Sequence, residues 1–283
     1  MLELILITLS LLVLMAASCT DLKTREVPDW LNYGFLAAGL GIRTIYSFQE
    51  GWSTLLSGVL GLVVAFLLGS IFYLTHQWGG GDTKLLAGLG AMIGISYPFS
   101  PASLELGWFL LALLFVGALY GLVWMIVIFF QKKQQVSRHF RFLLGEYKGI
   151  HIASGGAAAF FAFASIPLPF LWPLVLFPLV LFYLFLFVES VEQTSFFKDV
   201  AISTLTEGDW LAEDIFIDGR RVVKSTTLGM KELTTLNRLK TEGRLKTVLI
   251  KEGLPFVPSF LLAYLLVKFG GEGVAIIWQG VWG

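Results

Sequence analysis

Long uncharged apolar runs alternate with short polar connections along most of the chain, the pattern of helices in a membrane rather than of a soluble core. A crossing helix needs about 20 predominantly apolar residues, within about 17–25. Runs near that length predict helices over 2–19, 31–48, 54–76, 84–98, 106–130 and 254–269. The stretch 152–189 has 38 residues and almost no charge, too long for one crossing, and Pro167 and Pro169 interrupt it just past Ser165. Two helices, 152–166 and 168–189, account for it better and bring the total to about eight.

The pattern changes after residue 189. Leu211–Ile217 and Arg220–Lys224 flank Asp218-Gly219, a two-residue turn signal, and predict a β-hairpin. Met230–Glu242 has helical spacing, and Lys246–Ile250 reads as a short returning strand. The fold expected is an all-α polytopic membrane protein of about eight transmembrane helices, with a small α+β cytoplasmic domain inserted before the last helix. Its parts are a membrane core at 1–189, the inserted domain at 190–252, and a final helix with an outer tail at 253–283.

Composition agrees: the 283 residues are 56% hydrophobic and 14% charged, against about 25% charged in soluble domains. The first run lacks a basic leader, and Asp21-Leu22-Lys23 follows at once, so it reads as a membrane helix rather than a signal peptide. Lys and Arg collect in cytoplasmic loops, which orients the helices. With the N-terminus outside, the loop holding Lys23 and Arg25, the turn 79–84, the basic loop 131–150 and the segment 190–252 all fall inside. Of the 20 Lys and Arg residues only Arg43 and Lys268 then lie outside. A single crossing at 152–189 would instead put the ten basic residues of 190–252 outside. The loop 131–150, with Lys132, Lys133, Arg138, Arg141 and Lys148, is expected to contact anionic lipid. A formal net charge of zero points to no nucleic-acid partner, and one cysteine, Cys19, excludes an intrachain disulfide or a Cys-based zinc site.

Against this apolar background one stretch is anomalous: Trp78-Gly79-Gly80-Gly81-Asp82-Thr83-Lys84, at the seam between two apolar runs. An ionisable group at the membrane is costly and marks a functional site by default. The glycines allow positive φ and let another segment or a peptide come close to the backbone. A second aspartate, Asp21, is expected to open the first inside loop on the same membrane face. Two carboxylates at one level can share a proton, because like charges at close range push their titrations apart. One then acts as base and the other as acid, enough to activate water against a peptide carbonyl without a metal. Each aspartate also has a plainer reading. Asp21 alone is a helix-terminal charge, Asp82 alone an N-cap for a helix starting at Thr83, and Lys23 or Lys84 a simple counter-ion. Asp29, after Pro28, reads as a cap on the second crossing.

The combined pattern, an aspartate with Pro28 seven residues on and then Gly-x-Gly-Asp two spans later, resembles the prepilin and preflagellin peptidases. The first-loop aspartate of that family matches Asp21, with Lys23, Arg25 and Pro28 around it. Its Gly-x-Gly-Asp matches Gly79, Gly81 and Asp82, with Lys84 following. The resemblance covers roughly 10–100 and extends to Glu207–Leu211 and Lys251–Pro258, which look like the archaeal branch; about 100–190 matches only as apolar helices.

This resemblance implies a cell-membrane aspartic endopeptidase with Asp21 and Asp82 as catalytic residues, and with Gly79, Gly80, Gly81, Lys23, Lys84 and Pro28 binding substrate or shaping the site. It implies cleavage on the cytoplasmic face of precursors bearing class III, type IV pilin-like signal peptides, as in pilus or archaellum assembly, with membrane lipid as the surroundings and no metal or cofactor. Bacterial members commonly carry a cysteine-rich zinc module and methylate the new amino terminus; one cysteine argues against both here. Two alternatives stay open. Intramembrane carboxylates beside glycine-broken helices also mark ion- or proton-coupled transporters, although transport sites lie near the midplane. Presenilin-type intramembrane proteases share Gly-x-Gly-Asp, but there the first aspartate follows a tyrosine deep in a helix, whereas Asp21 follows Thr20 and is expected to begin a loop.

Overall fold

A computed structural model describes residues 1–75 and 77–282, with Pro101, Ala102 and 271–282 described by backbone only. The predicted run 54–76 ends on His76 and the tail on Gly283, both outside the described residues. In chain order the helices are α1 (Leu2–Thr24), α2 (Asp29–Glu50), α3 (Ser53–Leu74), α4 (Gly80–Ile93), α5 (Glu105–Gln131), α6 (Lys133–Glu146), α7 (Lys148–Ala164), α8 (Phe177–Ser195), α9 (Met230–Thr241) and α10 (Val257–Trp282). The strands are β1 (Phe197–Ala201), β2 (Trp210–Leu211), β3 (Ile215–Ile217), β4 (Arg220–Val223) and β5 (Thr247–Lys251). Among the described residues four helices are long and apolar enough to cross a membrane: α1, α3, α5 and the stretch Pro169–Ser195 that contains α8.

The chain forms two compact units, Met1–Leu122 together with the segment from Gly253 onward, and Val123–Glu252. The first unit holds α1–α4, the start of α5 and α10 around a core that includes Leu14, Phe35, Leu86, Leu89, Phe109 and Phe260. Close approach of α3 to α4 depends on glycine. A Cβ built on Gly61 would overlap the Gly90 carbonyl, and one on Gly90 would overlap Gly61. The predicted helix 84–98 is instead α4, starting earlier and stopping at Ile93. Gly94 turns the chain with a φ of 77°, and the 14 residues span about 21 Å, short of the roughly 30 Å hydrocarbon core.

Arg43 explains that stop. Its guanidinium, 6% exposed, reaches from α2 to the last carbonyls of α4, donating to Ala91 O (2.7 Å), Met92 O (2.7 Å) and Ile93 O (3.0 Å). Helix C-termini leave their last carbonyls unpaired and carry partial negative charge, so a buried cation there meets both needs.

In the second unit the residues 131–150, expected as a loop, are helical. Val136, Phe140, Leu143 and Leu144 recur at helical spacing, and Val136 and Leu143 are buried. The break in 152–189 falls at the prolines, but the helices differ from the expected 152–166 and 168–189: α7 begins at Lys148 and ends at Ala164, a 3-10 turn covers Pro169–Leu174, and α8 starts only at Phe177 and runs on to Ser195, past residue 189. The α+β part contains an antiparallel sheet in the order β1-β5-β2 and the β3–β4 hairpin. Asp218 and Gly219 turn that hairpin with φ of 53° and 77°, the positive pair that two-residue hairpins need. Strand β1 had no clear signal in the sequence, and the expected arm Leu211–Ile217 is split between the two-residue β2 and β3.

Candidate active site

Asp21 lies within the last turn of α1, not at the start of a loop as expected; the helix runs on to Thr24 and Arg25 ends it at a φ of 58°. The side chain is 5% exposed. Burying a carboxylate is costly without hydrogen bonds to it. The N–H of Val257, the first residue of α10, donates to Asp21 Oδ2 at 2.8 Å, and the Phe256 N–H faces the same carboxylate. One turn on, Arg25 Nη1 donates to Gly253 O at 3.0 Å.

Asp82 is the third residue of α4, which begins at Gly80 rather than Thr83. Its Oδ2 turns back to accept the Gly79 N–H at 3.1 Å, the acidic half of a capping box. The side chain is half-buried, and Asp21 is its electrostatic neighbour. The glycines do not use the positive φ open to them: Gly79 is extended, with φ −75° and ψ 163°, and Gly80 and Gly81 open the helix. What they provide is bareness. They carry no side chains of their own: Gly79 is exposed and Gly80 and Gly81 are half-buried, and a Cβ on Gly81 would meet Val27 at 3.6 Å, a normal contact distance.

The other expected site residues lie around this pair with different roles. Lys84 pairs with Asp29 at 2.6 Å and lies over the Tyr33 ring at 5.2 Å, so Asp29, not Asp82, is the residue it neutralises. Lys23 is exposed in the last turn of α1, where a cation suits the helix dipole. Pro28 precedes α2 as its N-cap.

Several contributors went unnoticed in the sequence because they act across long separations. Asn32, fully buried on α2, donates from Nδ2 to Gly81 O at 3.4 Å. Trp78 stacks on Phe72 with 4.6 Å between ring centroids and packs against Phe256 and Phe260 at 5.7 and 5.5 Å. Tyr120 on α5 is an electrostatic neighbour of Asp21. An aspartate beside apolar residues gives a signal; an asparagine in an apolar helix, or a tryptophan between two such helices, does not.

A helical membrane protein that gathers two carboxylates at the ends of neighbouring helices is equipped for acid–base chemistry, and its relatives are proteases. Residues 8–138 match the type IV leader peptidase family. The preflagellin peptidase of Methanococcus voltae is 31% identical over 163 residues, 52% of this chain and 69% of that protein. The preflagellin peptidase of Methanocaldococcus jannaschii is 37% identical over 81 residues, 28% of this chain and 34% of that one. The prepilin leader peptidase/N-methyltransferase of Neisseria gonorrhoeae is 34% identical over 136 residues, 46% of this chain and 41% of that one. The chain belongs to the type IV leader peptidase family, on its archaeal side, and is a membrane protease. The transporter and presenilin readings are not favoured by these relatives.

Proposed function

We propose that this protein is an aspartic endopeptidase that removes the leader from preflagellin- or prepilin-like precursors at the cytoplasmic face, with Asp21 and Asp82 as the catalytic pair. The observation that carries the reading is that α1 and α4 pack together in one compact unit with Asp21 near the end of one and Asp82 near the start of the other, within electrostatic range. One carboxylate, ionised, takes a proton from water as its oxygen attacks the scissile carbonyl; the other, protonated, gives its proton to the carbonyl oxygen. Collapse of the tetrahedral intermediate breaks the C–N bond and passes a proton to the leaving amine.

The bare backbone at Gly79, Gly80 and Gly81 suits an extended substrate lying against the start of α4. Lys23, Lys84 and Pro28 shape the surroundings. The substrate class, precursors with type IV pilin-like signal peptides, is supported by the names of the relatives in Methanococcus voltae and Neisseria gonorrhoeae. We read α2, α4, α7 and α10 as the further crossings that bring the total to eight, with lipid around them and the catalytic machinery in the membrane core. Amino-terminal methylation is not part of the proposed activity.

The test is cleavage of a reconstituted precursor carrying a basic leader and a glycine at the cut, followed by mass spectrometry of the product. Asp21→Asn and Asp82→Asn are each expected to lower the rate by about 10³-fold or more, with insertion intact. Cleavage that survives either change would remove the basis of the reading.

A further inference from the structure

The segment Gly253-Leu254-Pro255-Phe256-Val257 has no part in the chemistry above, yet it touches both halves of the site. Arg25 holds its first residue through the Gly253 carbonyl, and its last residue gives its N–H to Asp21. Between these points the Phe256 ring packs against Trp78, four residues before Asp82. Gly117 on α5 makes the space for this ring: a Cβ there would stand 2.7 Å from Phe256 Cζ. The segment thus links the α1 carboxylate to the stretch that leads into α4. All of these contacts fall inside the first compact unit.

We propose that Phe256 and Val257 are positioning residues of the catalytic pair: the Val257 N–H sets the orientation of the Asp21 carboxylate, and the Phe256 ring keeps that donor in register with the Trp78–Asp82 segment. The inference rests on the paired-aspartate reading. Neither residue handles the reacting atoms, so their loss should lower turnover and leave substrate affinity almost unchanged.

Val257→Pro is the direct probe. Position 257 is the first of α10, where proline is conformationally tolerated, so the substitution deletes the donor and little else from the backbone. Val257→Ala trims the same buried side chain but keeps the N–H, and so measures the cost of packing alone. Proline is expected to lower kcat about ten-fold or more below the alanine variant, with KM about constant, as for loss of one hydrogen bond to a charged group. Equal kcat in the two folded variants, or an effect on KM alone, overturns the proposal.

If Val257→Pro does not insert and fold, Phe256 decides. Phe256→Ala is expected to lower kcat about five-fold at constant KM, and Phe256→Met, which refills the space and keeps a contact with the Trp78 ring, to restore most of it. A Phe256→Ala enzyme with normal kcat overturns the proposal. Asp21→Asn and Asp82→Asn are run alongside. Their full activity would sink the catalytic reading itself, whereas their inactivity with kcat equal in the Val257 pair would sink only this inference.

Discussion

Buried polar groups behave differently in the two units. In the first, the hydroxyls of Ser10 and Ser47 stay on their own helices, but the charged and amide groups reach across the chain: Asp21 to Val257, Asn32 to Gly81, Arg43 to the end of α4. In α7 of the second unit and at its C-cap the buried polar groups stay on their own helix, Ser154 bonding to His151 O and Ser165 to Ala162 O. A hydroxyl satisfied by its own helix costs little and fixes nothing beyond that helix. A guanidinium or carboxylate satisfied from a distant segment ties two helix ends together, and the first unit places such ties at both ends of α4. Asn32 and Arg43 thereby fix the depth and rotation of the helix that presents Asp82, which apolar packing alone leaves free to slide.

The largest expected contrast is at glycine. Gly61→Leu drives a side chain into the backbone of Gly90 and Gly94 and should cost about 3 kcal/mol or more, with cleavage lost in step. On α7 a Cβ at Gly155 would meet nothing within 4 Å, and Gly155→Leu should stay within about 0.5 kcal/mol of the parent. Thermal unfolding in detergent reads both.

Next comes charge. Arg43→Met leaves the α4 carbonyls unpaired and should cost about 3 kcal/mol, whereas Arg141→Met, on an exposed position of α6, should change stability by less than about 0.5 kcal/mol. A tolerated Arg43→Met would mean that long-range polar ties do not distinguish the units.

The smallest effect is expected at Asp214 in the α+β part. It accepts the Ser225 N–H at 2.6 Å and pairs with Arg221 at 3.1 Å, and these partners, the backbone bond first, hold its carboxyl below the usual range. A carboxyl with a lowered folded-state pKa stabilises the fold above its unfolded value, about 4, and loses that contribution as the pH falls through the folded value. Hydrogen exchange in the β3–β4 hairpin of the full chain should therefore accelerate as the pH drops below about 4, after correction for intrinsic exchange. In Asp214→Asn that acid dependence should be weaker.

Much of this was legible in the residues. The two aspartates and the bare glycines are visible because charge and glycine are conspicuous among Leu and Phe, and the Asp218-Gly219 hairpin follows from turn chemistry alone. The expected loop at 131–150 failed because its basic residues concealed the apolar spacing of Val136, Phe140 and Leu143. The helix 84–98 was drawn too long because apolar residues continue past Gly94, while the cap that stops it comes from Arg43, about 50 residues earlier. Arg43 served as a marker of the outer side, but its buried side chain is a helix cap. The hold of Val257 on Asp21 joins positions 236 residues apart, and no local pattern announces a backbone donor.

The central claim is that Asp21 and Asp82 act as one device, and a double-variant cycle on cleavage tests it most directly. Single-turnover rates at high enzyme concentration should be compared for Asp21→Asn, Asp82→Asn and the double variant. Groups that act as a unit are non-additive, so the double variant should be no slower than the worse single variant. Losses that multiply, or a single variant close to wild type, would contradict it and separate the two aspartates into independent roles.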